Sequence, residues 1–242
     1  MNGIGHGISQ SALSVYRNCP FSYRCYREKK DPIFFDFNVL DSGKFVHDAI
    51  DYYYKNYFHT SHTSELILGY TYGYLRSRWD TTLPLEELKK VYTCLVHHSE
   101  WEYQNHNNGY QSKPMSEAKL KNEVFYGIVD YIDLQNKKVV DWKTNKYAVL
   151  SFEYRMQAYI YKLLFESTFN ETLDHFHFFF LHPNEWRTVR FDAPGMDKVI
   201  QEVELLKESV LQSIQNNDYP KEPRIDSQCV HCNYRLYCGT GR

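Results

Sequence analysis

No apolar run in this sequence approaches the ~18 residues that span a bilayer. Its first residues, MNGIGHGISQ, carry no charged-then-apolar targeting signal. Neither sign of charge dominates: 28 Lys+Arg stand against 30 Asp+Glu, a formal net charge of −2. That balance excludes a general polyanion binder but allows a local basic groove, because charge acts through its distribution. There is no glycine-rich phosphate loop, dinucleotide fingerprint, internal repeat or low-complexity segment. Hydrophobic residues at 43% and charged residues at 24% exclude long disorder. What remains is a chain of 242 residues, enough for one domain with or without an insertion. At that size about 70–75% of the unfolded surface is buried, so no disulfide or metal is needed merely to make a core. The expectation is a soluble protein of the cytoplasm.

Two features are present in excess. Aromatics reach 17%, with 22 Tyr, 15 Phe and 4 Trp; such rings can stack on bases, although composition alone favours a Tyr-rich core. Six cysteines stand at 19, 25, 94, 229, 232 and 238, and in a cytosolic chain clustered thiols read as metal ligands before disulfides.

Residues 9–30 read as helical, capped by Ser9 and interrupted at Pro20. Asp41 or Ser42 caps a second helix running to about Phe58, with Phe45, Val46, Ala49, Ile50 and Tyr53 as its apolar stripe. Helical stretches near 63–79 and 84–106 follow, the latter opening at Pro84. Residues 107–118 are a turn-rich break. The period then changes to two: Val124 to Asp133 and Lys138 to Lys143 are strands around a short turn at Gln135 and Asn136. Ser151 caps a helix to about Phe169. His175 to Leu181 and Trp186 to Phe191 form a hairpin, and a helix over 194–216 leads to a tail with three cysteines. This order suggests an α/β core with a helical elaboration.

The segment GIVDYIDLQNKKVVDWKTN, residues 127–145, carries the strongest catalytic signal. Strand alternation puts Asp141 and Lys143 on one face and Trp142 on the other. A two-residue loop at Gln135-Asn136 sets Asp130 opposite Asp141, with Cβ atoms about 4.5–5.5 Å apart; any even-numbered loop keeps both carboxylates and the lysine together, and an odd one brings Trp142 there instead. Opposed like charges destabilise a strand pair, and a divalent cation removes that penalty; oxygen ligands suit Mg²⁺ or Mn²⁺. Asp, Asp and Lys on one face outline a metal-dependent phosphodiesterase, with Lys143 orienting water or stabilising charge. An exposed Lys–Asp pair would look the same in sequence, but Val139 and Val140 beside Asp141 indicate a strand buried on both faces, where charge needs a reason.

Gly43-Lys-Phe-Val-His47, Gly127-Ile-Val-Asp130, Asp141-Trp-Lys143 and Gln157-Ala-Tyr-Ile-Tyr161 occur in the order and spacing of RecB-type nucleases, and over about residues 9–240 the chain resembles that branch of the PD-(D/E)xK superfamily. One cysteine before these motifs, Cys19, and Cys229-x-x-Cys232-x₅-Cys238 after them make it similar to the iron–sulfur variety, in particular the stand-alone CRISPR-associated exonuclease family. The resemblance implies an α/β restriction-endonuclease-like core, a central mixed sheet flanked by helices, as one domain over 1–242. The helical region 59–120 carries none of these motifs and reads as an N-terminal helical insertion, and the tail at 219–242 reads as cluster-binding, paired with Cys19. By the same resemblance Asp130 and Asp141 are metal-binding carboxylates, Lys143 is the catalytic lysine, and His47 approaches the metal from its helix. Gln157 and Tyr161, one turn apart, position the catalytic strand and nucleic acid. Asp at 141 is a departure, since many relatives carry Glu. His175 and His177 share a strand face without a matching carboxylate and read as structural.

The three tail cysteines need a fourth ligand: Cys19 is the candidate and Cys25 the fallback. Four thiolates suit Zn²⁺ or a [4Fe–4S] cluster, and the resemblance favours iron–sulfur. Ligands drawn from both ends would close a loop of about 210 residues, worth roughly 4–5 kcal/mol in the chain-entropy model. Cys94 reads as a small buried hydrophobe. The function implied is a Mn²⁺- or Mg²⁺-dependent DNA exonuclease for single-stranded ends in CRISPR spacer acquisition, alongside the integrase proteins. The alternatives are a non-cutting iron–sulfur DNA-binding subunit or a repair nuclease outside CRISPR. Aromatics on the helices near 63–106 offer a surface for a homo-oligomer.

Overall fold

The computed structural model describes residues 7–32, 37–59, 63–78, 84–107, 112–224, 229–230 and 232–239. Helices α1 (Gln10–Asn18) and α2 (Pro20–Arg27) are followed by α3 (Phe37–Asn56), α4 (Ser64–Arg78) and α5 (Leu85–Asn107). Strands β1 (Met115–Lys121), β2 (Tyr126–Asp133) and β3 (Lys138–Lys143) come next, then α6 (Phe152–Phe169), β4 (His175–Phe180), β5 (Glu185–Arg190), α7 (Met196–Asn216) and the short α8 (Arg235–Cys238). The five strands form one mixed sheet in chain order, antiparallel except for the β3–β4 pair, which is parallel and connected through α6. This is the α/β layered core that the motif order implies. No helix among the described residues is long and apolar enough to cross a membrane.

The local signals act where local chemistry dominates. Ser9 accepts a hydrogen bond from the Ala12 N–H and Ser151 one from Tyr154, each satisfying a donor that a helix start leaves unpaired. Pro20 sits in the first turn of α2, and Cys19 before it is extended (φ −166°, ψ 121°), so the chain breaks there into two helices. Two expectations are corrected. α3 begins at Phe37, so Asp41 and Ser42 lie inside it instead of capping it. The turn-rich break ends before residue 118, because Met115–Lys121 is strand β1; the segment 59–120 therefore contributes its last residues to the sheet.

Both faces of the sheet are buried, and strand alternation divides the side chains between two cores. Val139, Phe176, Phe178 and Phe180 face α1, α6 and α7, whereas Val140, Trp142 and Phe179 face α3, α4 and α5. The aromatic excess goes largely into these cores: Tyr53, Tyr54, Tyr131 and Trp142 are fully buried.

His98 of α5 lies in the second core among the rings of Tyr53, Tyr54, Trp101 and Trp142, and none of the described residues hydrogen-bonds either of its ring nitrogens. Burial pushes its pKa down to about 3. Between pH 6.5 and about 3 the unfolded chain therefore binds a proton at this site that the folded chain refuses. Stability rises with pH across that window and falls on acidification by about 1.4 kcal/mol per unit below about pH 6.5. Urea melts of wild type and His98→Leu at pH 7 and 5.5 test this: the variant should show the shallower pH dependence by about that amount. Equal slopes would exclude His98 as the source.

Candidate active site

The β2–β3 hairpin pairs Tyr131 with Val140, Ile132 with Val139 and Asp133 with Lys138. Extending that register sets Asp130 opposite Asp141. The turn is longer than the two residues expected, running from Leu134 to Lys137. Asp133 shapes it by accepting hydrogen bonds from the Asn136 backbone N–H (3.1 Å) and side chain (2.7 Å). Its parity is even, so both carboxylates and Lys143 share the α6 face and Trp142 takes the other.

A third carboxylate, absent from the sequence reading, lies at the same level. β1 pairs Ser116 with Tyr131 and Ala118 with Val129, leaving Glu117 out of the ladder opposite Asp130. Glu117 adopts φ 48°, a left-handed conformation costly for a residue with a Cβ and often found at functional sites. α3 brings His47 to the pair: its Nδ1 is 3.1 Å from Asp130 Oδ1 and 3.8 Å from Glu117 Oε1. One turn earlier on α3, a Cβ at Gly43 would stand 3.4 Å from Thr144 Oγ1, so glycine permits close approach of the helix to the end of β3. Ligand atoms of His47, Glu117 and Asp130 lie within 4.8 Å of one another. Burial alone would lower the His47 pKa; Asp130, then Glu117, outweigh it and raise it to about 10. The site thus concentrates negative charge that attracts a cation.

Asp130 also ties the strands together, its Oδ2 accepting from the Trp142 backbone N–H at 2.7 Å. Asp141 Oδ1 accepts from Gln157 Nε2 at 2.6 Å, and Gln157 Oε1 accepts from Lys143 Nζ at 3.0 Å. Lys143 Nζ lies 2.6 Å from Asp141 Oδ2, but off the hydrogen-bonding direction, so this buried oxygen has no aligned donor. Burial raises the Asp141 pKa, aided by the charge of Asp130 and opposed by Lys143. Burial pulls the Lys143 pKa down, and Asp141 more than reverses this, keeping the ammonium charged. The rings of Tyr154 and Phe178 wall that ammonium at 4.7 and 5.4 Å.

Tyr161 has a structural commitment. Its hydroxyl donates to Ile128 O at 2.7 Å and its ring lies over Gly127, where an added Cβ would come within 2.6 Å of Cε1. The glycine of Gly127-Ile-Val-Asp130 is therefore a seat for α6, through which Tyr161 sets the position of β2. His175 and His177 lie away from these groups, and His177 Nδ1 is 3.0 Å from Thr188 Oγ1.

The tail packs on α1 and α2. Phe21 N–H donates to Pro220 O (3.2 Å), Arg224 N–H to Asn18 O (2.9 Å), and Ser22 Oγ is 3.4 Å from Cys232 Sγ. Cys25 is buried, and its thiol is pushed up by burial first and then by Glu28, Cys232 and Cys238, which places it beside the tail cysteines. Among the described residues no three cysteine sulfurs lie within 4.8 Å of one another. Cys94 is fully buried in α5, where burial raises its thiol pKa to about 12.

None of the curated proteins matches this sequence. One solved chain, described as the crystal structure of SSO0001, is 16% identical, is matched over 81% of this chain and 85% of its own, and gives a TM-score of 0.37. A family model, that of the PD-(D/E)XK nuclease superfamily, matches residues 7–239. With that match spanning nearly its whole length, the chain belongs to the PD-(D/E)XK nuclease superfamily.

Proposed function

We propose that this member of a superfamily of metal-dependent nucleases is a DNA exonuclease of RecB type that degrades single-stranded ends. The carrying observation is the convergence of Asp130, Asp141, Glu117 and His47 beside Lys143. The donor set fits a hard divalent cation: carboxylate oxygens and one imidazole, with Asp141 Oδ2 buried and lacking an aligned donor. Asp130, Asp141 and His47 would hold Mn²⁺ or Mg²⁺, with Glu117 as a further oxygen. Such an ion, when bound, lowers the pKa of water and offsets charge growing on the phosphate.

The chain's own residues supply the rest. The Lys143 ammonium, held charged by Asp141, donates to the phosphate oxygen on which charge develops. Gln157 keeps Lys143 and Asp141 in one geometry by bonding both. Asp130 locks the facing strand through the Trp142 N–H, so both carboxylates move as one unit. The cysteines form a second proposal: Cys19, Cys229, Cys232 and Cys238 hold a [4Fe–4S] cluster that staples the chain ends. The resemblance of the motif set supports a role in CRISPR spacer acquisition, trimming DNA ends for the integrase proteins.

The test is incubation of end-labelled single-stranded DNA with Mn²⁺, Mg²⁺ or EDTA, after recording the visible spectrum. Progressive shortening with metal alone, from protein absorbing near about 400 nm, is expected. Cleavage of circular single strands would overturn the exonuclease reading. Salt-sensitive binding without any product would favour a non-cutting subunit. Adding the integrase proteins and reading whether trimmed ends are integrated decides the CRISPR role.

A further inference from the structure

The segment joining β3 to α6, residues 144–150, begins immediately after Lys143 and is held at several points. Asn145 Oδ1 accepts from the Tyr154 hydroxyl at 2.9 Å, and Ala148 O accepts from Arg187 Nε at 2.9 Å. Arg187 is itself braced by Trp186 O at 2.9 Å. Two tight backbone bonds, Val149 N–H to Tyr147 O and Ser151 N–H to Val149 O, each 3.1 Å, set its path. Ala148 and Leu150 pack on the first core. The residues that alternate with them turn outward: Tyr147 is 69% exposed and Val149 64% exposed. Among the described residues Tyr147 is the most exposed aromatic, ahead of Tyr92 at 47%, although the segment carrying it is firmly tied.

The surroundings are basic. Lys146 Nζ lies 5.6 Å from the Tyr147 ring. His182 follows Leu181, whose N–H donates to Lys143 O at 2.8 Å. The His182 imidazole is held below its ordinary value by burial first and then by Lys90, His97 and Lys146, with Glu87 opposing them. Lys90, Lys146, His97 and His182 therefore share one neighbourhood at the end of the sheet where the catalytic strand finishes. Two acids share that end: Glu87, 3.3 Å from Lys90, and Glu185, 2.5 Å from Arg187.

An exposed aromatic face with a lysine beside it is a combination that grips single-stranded nucleic acid: bases stack on the ring and a phosphate follows the charge. We propose that Tyr147 is a stacking post for one nucleobase of a single strand entering the active site, with Lys146 contacting an adjacent phosphate. This rests on the nuclease reading above and adds the source of its strand preference. Paired bases keep their faces stacked inside the duplex and cannot use the post.

The test is fluorescence anisotropy with a labelled oligothymidylate and with a blunt duplex, Ca²⁺ being supplied to neutralise the carboxylates. Tyr147→Ala should weaken single-strand binding by about tenfold, the loss of one base–aromatic stack. Tyr147→Phe should restore it, and duplex affinity should change by less than about twofold, because only the two terminal pairs of a duplex present a free face. Lys146→Ala should weaken binding and reduce the salt slope by about 1. Unchanged single-strand affinity in Tyr147→Ala, equal losses on both substrates, or failure of Phe to restore binding overturns the proposal. If wild type cuts DNA while Tyr147→Ala binds as wild type does, this inference falls and the nuclease stands. If wild type neither binds nor cuts, both fall.

Discussion

Lys143→Ala is expected to slow metal-dependent cleavage by about 10²–10³, the effect of removing one preorganised donor from a developing oxyanion. Nζ is 2.6 Å from Asp141 Oδ2 and hydrogen-bonded to Gln157, so it needs no reorganisation to meet a phosphate. Truncation also strips a buried carboxylate of its counter-charge, and so excess Mn²⁺ should be present to compensate it. Lys143→Arg should not restore the rate: the guanidinium is charged but broad and planar, and the Tyr154–Phe178 walls fit a compact ammonium. Single-turnover cleavage of end-labelled DNA measures this, with single-strand affinity in Ca²⁺ as the control for folding. A Lys143→Ala protein cutting at the wild-type rate would remove lysine from the mechanism.

The second large effect concerns the tail. None of the residues of α8 is buried, and Leu236 is 76% exposed. Apolar burial therefore contributes little to holding this segment against α2, and the backbone bonds at Pro220 and Asn18 are few. If thiolate ligation supplies the rest, Cys232→Ser should lose the absorbance near about 400 nm. It should also lose roughly 4–5 kcal/mol, the entropy of closing a loop of about 210 residues. Cys94→Ala is the comparison: a small cavity in the second core, about 1 kcal/mol, with the spectrum intact. A Cys232→Ser protein that melts at the wild-type urea midpoint would leave the staple without support. Cys25 gives the same experiment a second use. Cys19→Ser and Cys25→Ser, compared by their spectra, identify which N-terminal thiol completes the set.

The parts of this architecture legible in the sequence are those set by neighbours in the chain. Ser9 and Ser151 act on N–H groups three residues away, and the longer turn from 134 to 137 keeps the even parity and the Gln135–Asn136 centre of a two-residue loop, so Asp130 still meets Asp141. Strand β1 was illegible for a physical reason. Met115–Lys121 buries only Ala118 and Leu120, which is too little alternation to distinguish a strand from a polar loop after Pro114. Glu117 was hidden with it, since its place opposite Asp130 exists only once β1 has a register, and its left-handed backbone obeys no sequence pattern. The start of α3 failed differently: the polar pair Asp41 and Ser42 imitates a cap inside a helix whose true start lies upstream. Tyr161 was recognised as important, and its hydroxyl bond to Ile128 shows where it acts, on the strand carrying Asp130.

The sheet runs in the order of the chain, and this has a kinetic consequence. Glu117, Asp130 and Asp141 sit on three consecutive antiparallel strands, so the carboxylate row assembles by closing hairpins, events of about 1–10 μs. Joining Cys19 to the tail instead requires the two ends to find each other across nearly the whole chain, the slowest kind of contact. On contact order alone, the acidic row is expected to form before any link between Cys19 and the tail. Glu117, Asp130 and Asp141 are also all translated before Cys229, so a cation that offsets their mutual repulsion can act before the tail cysteines exist.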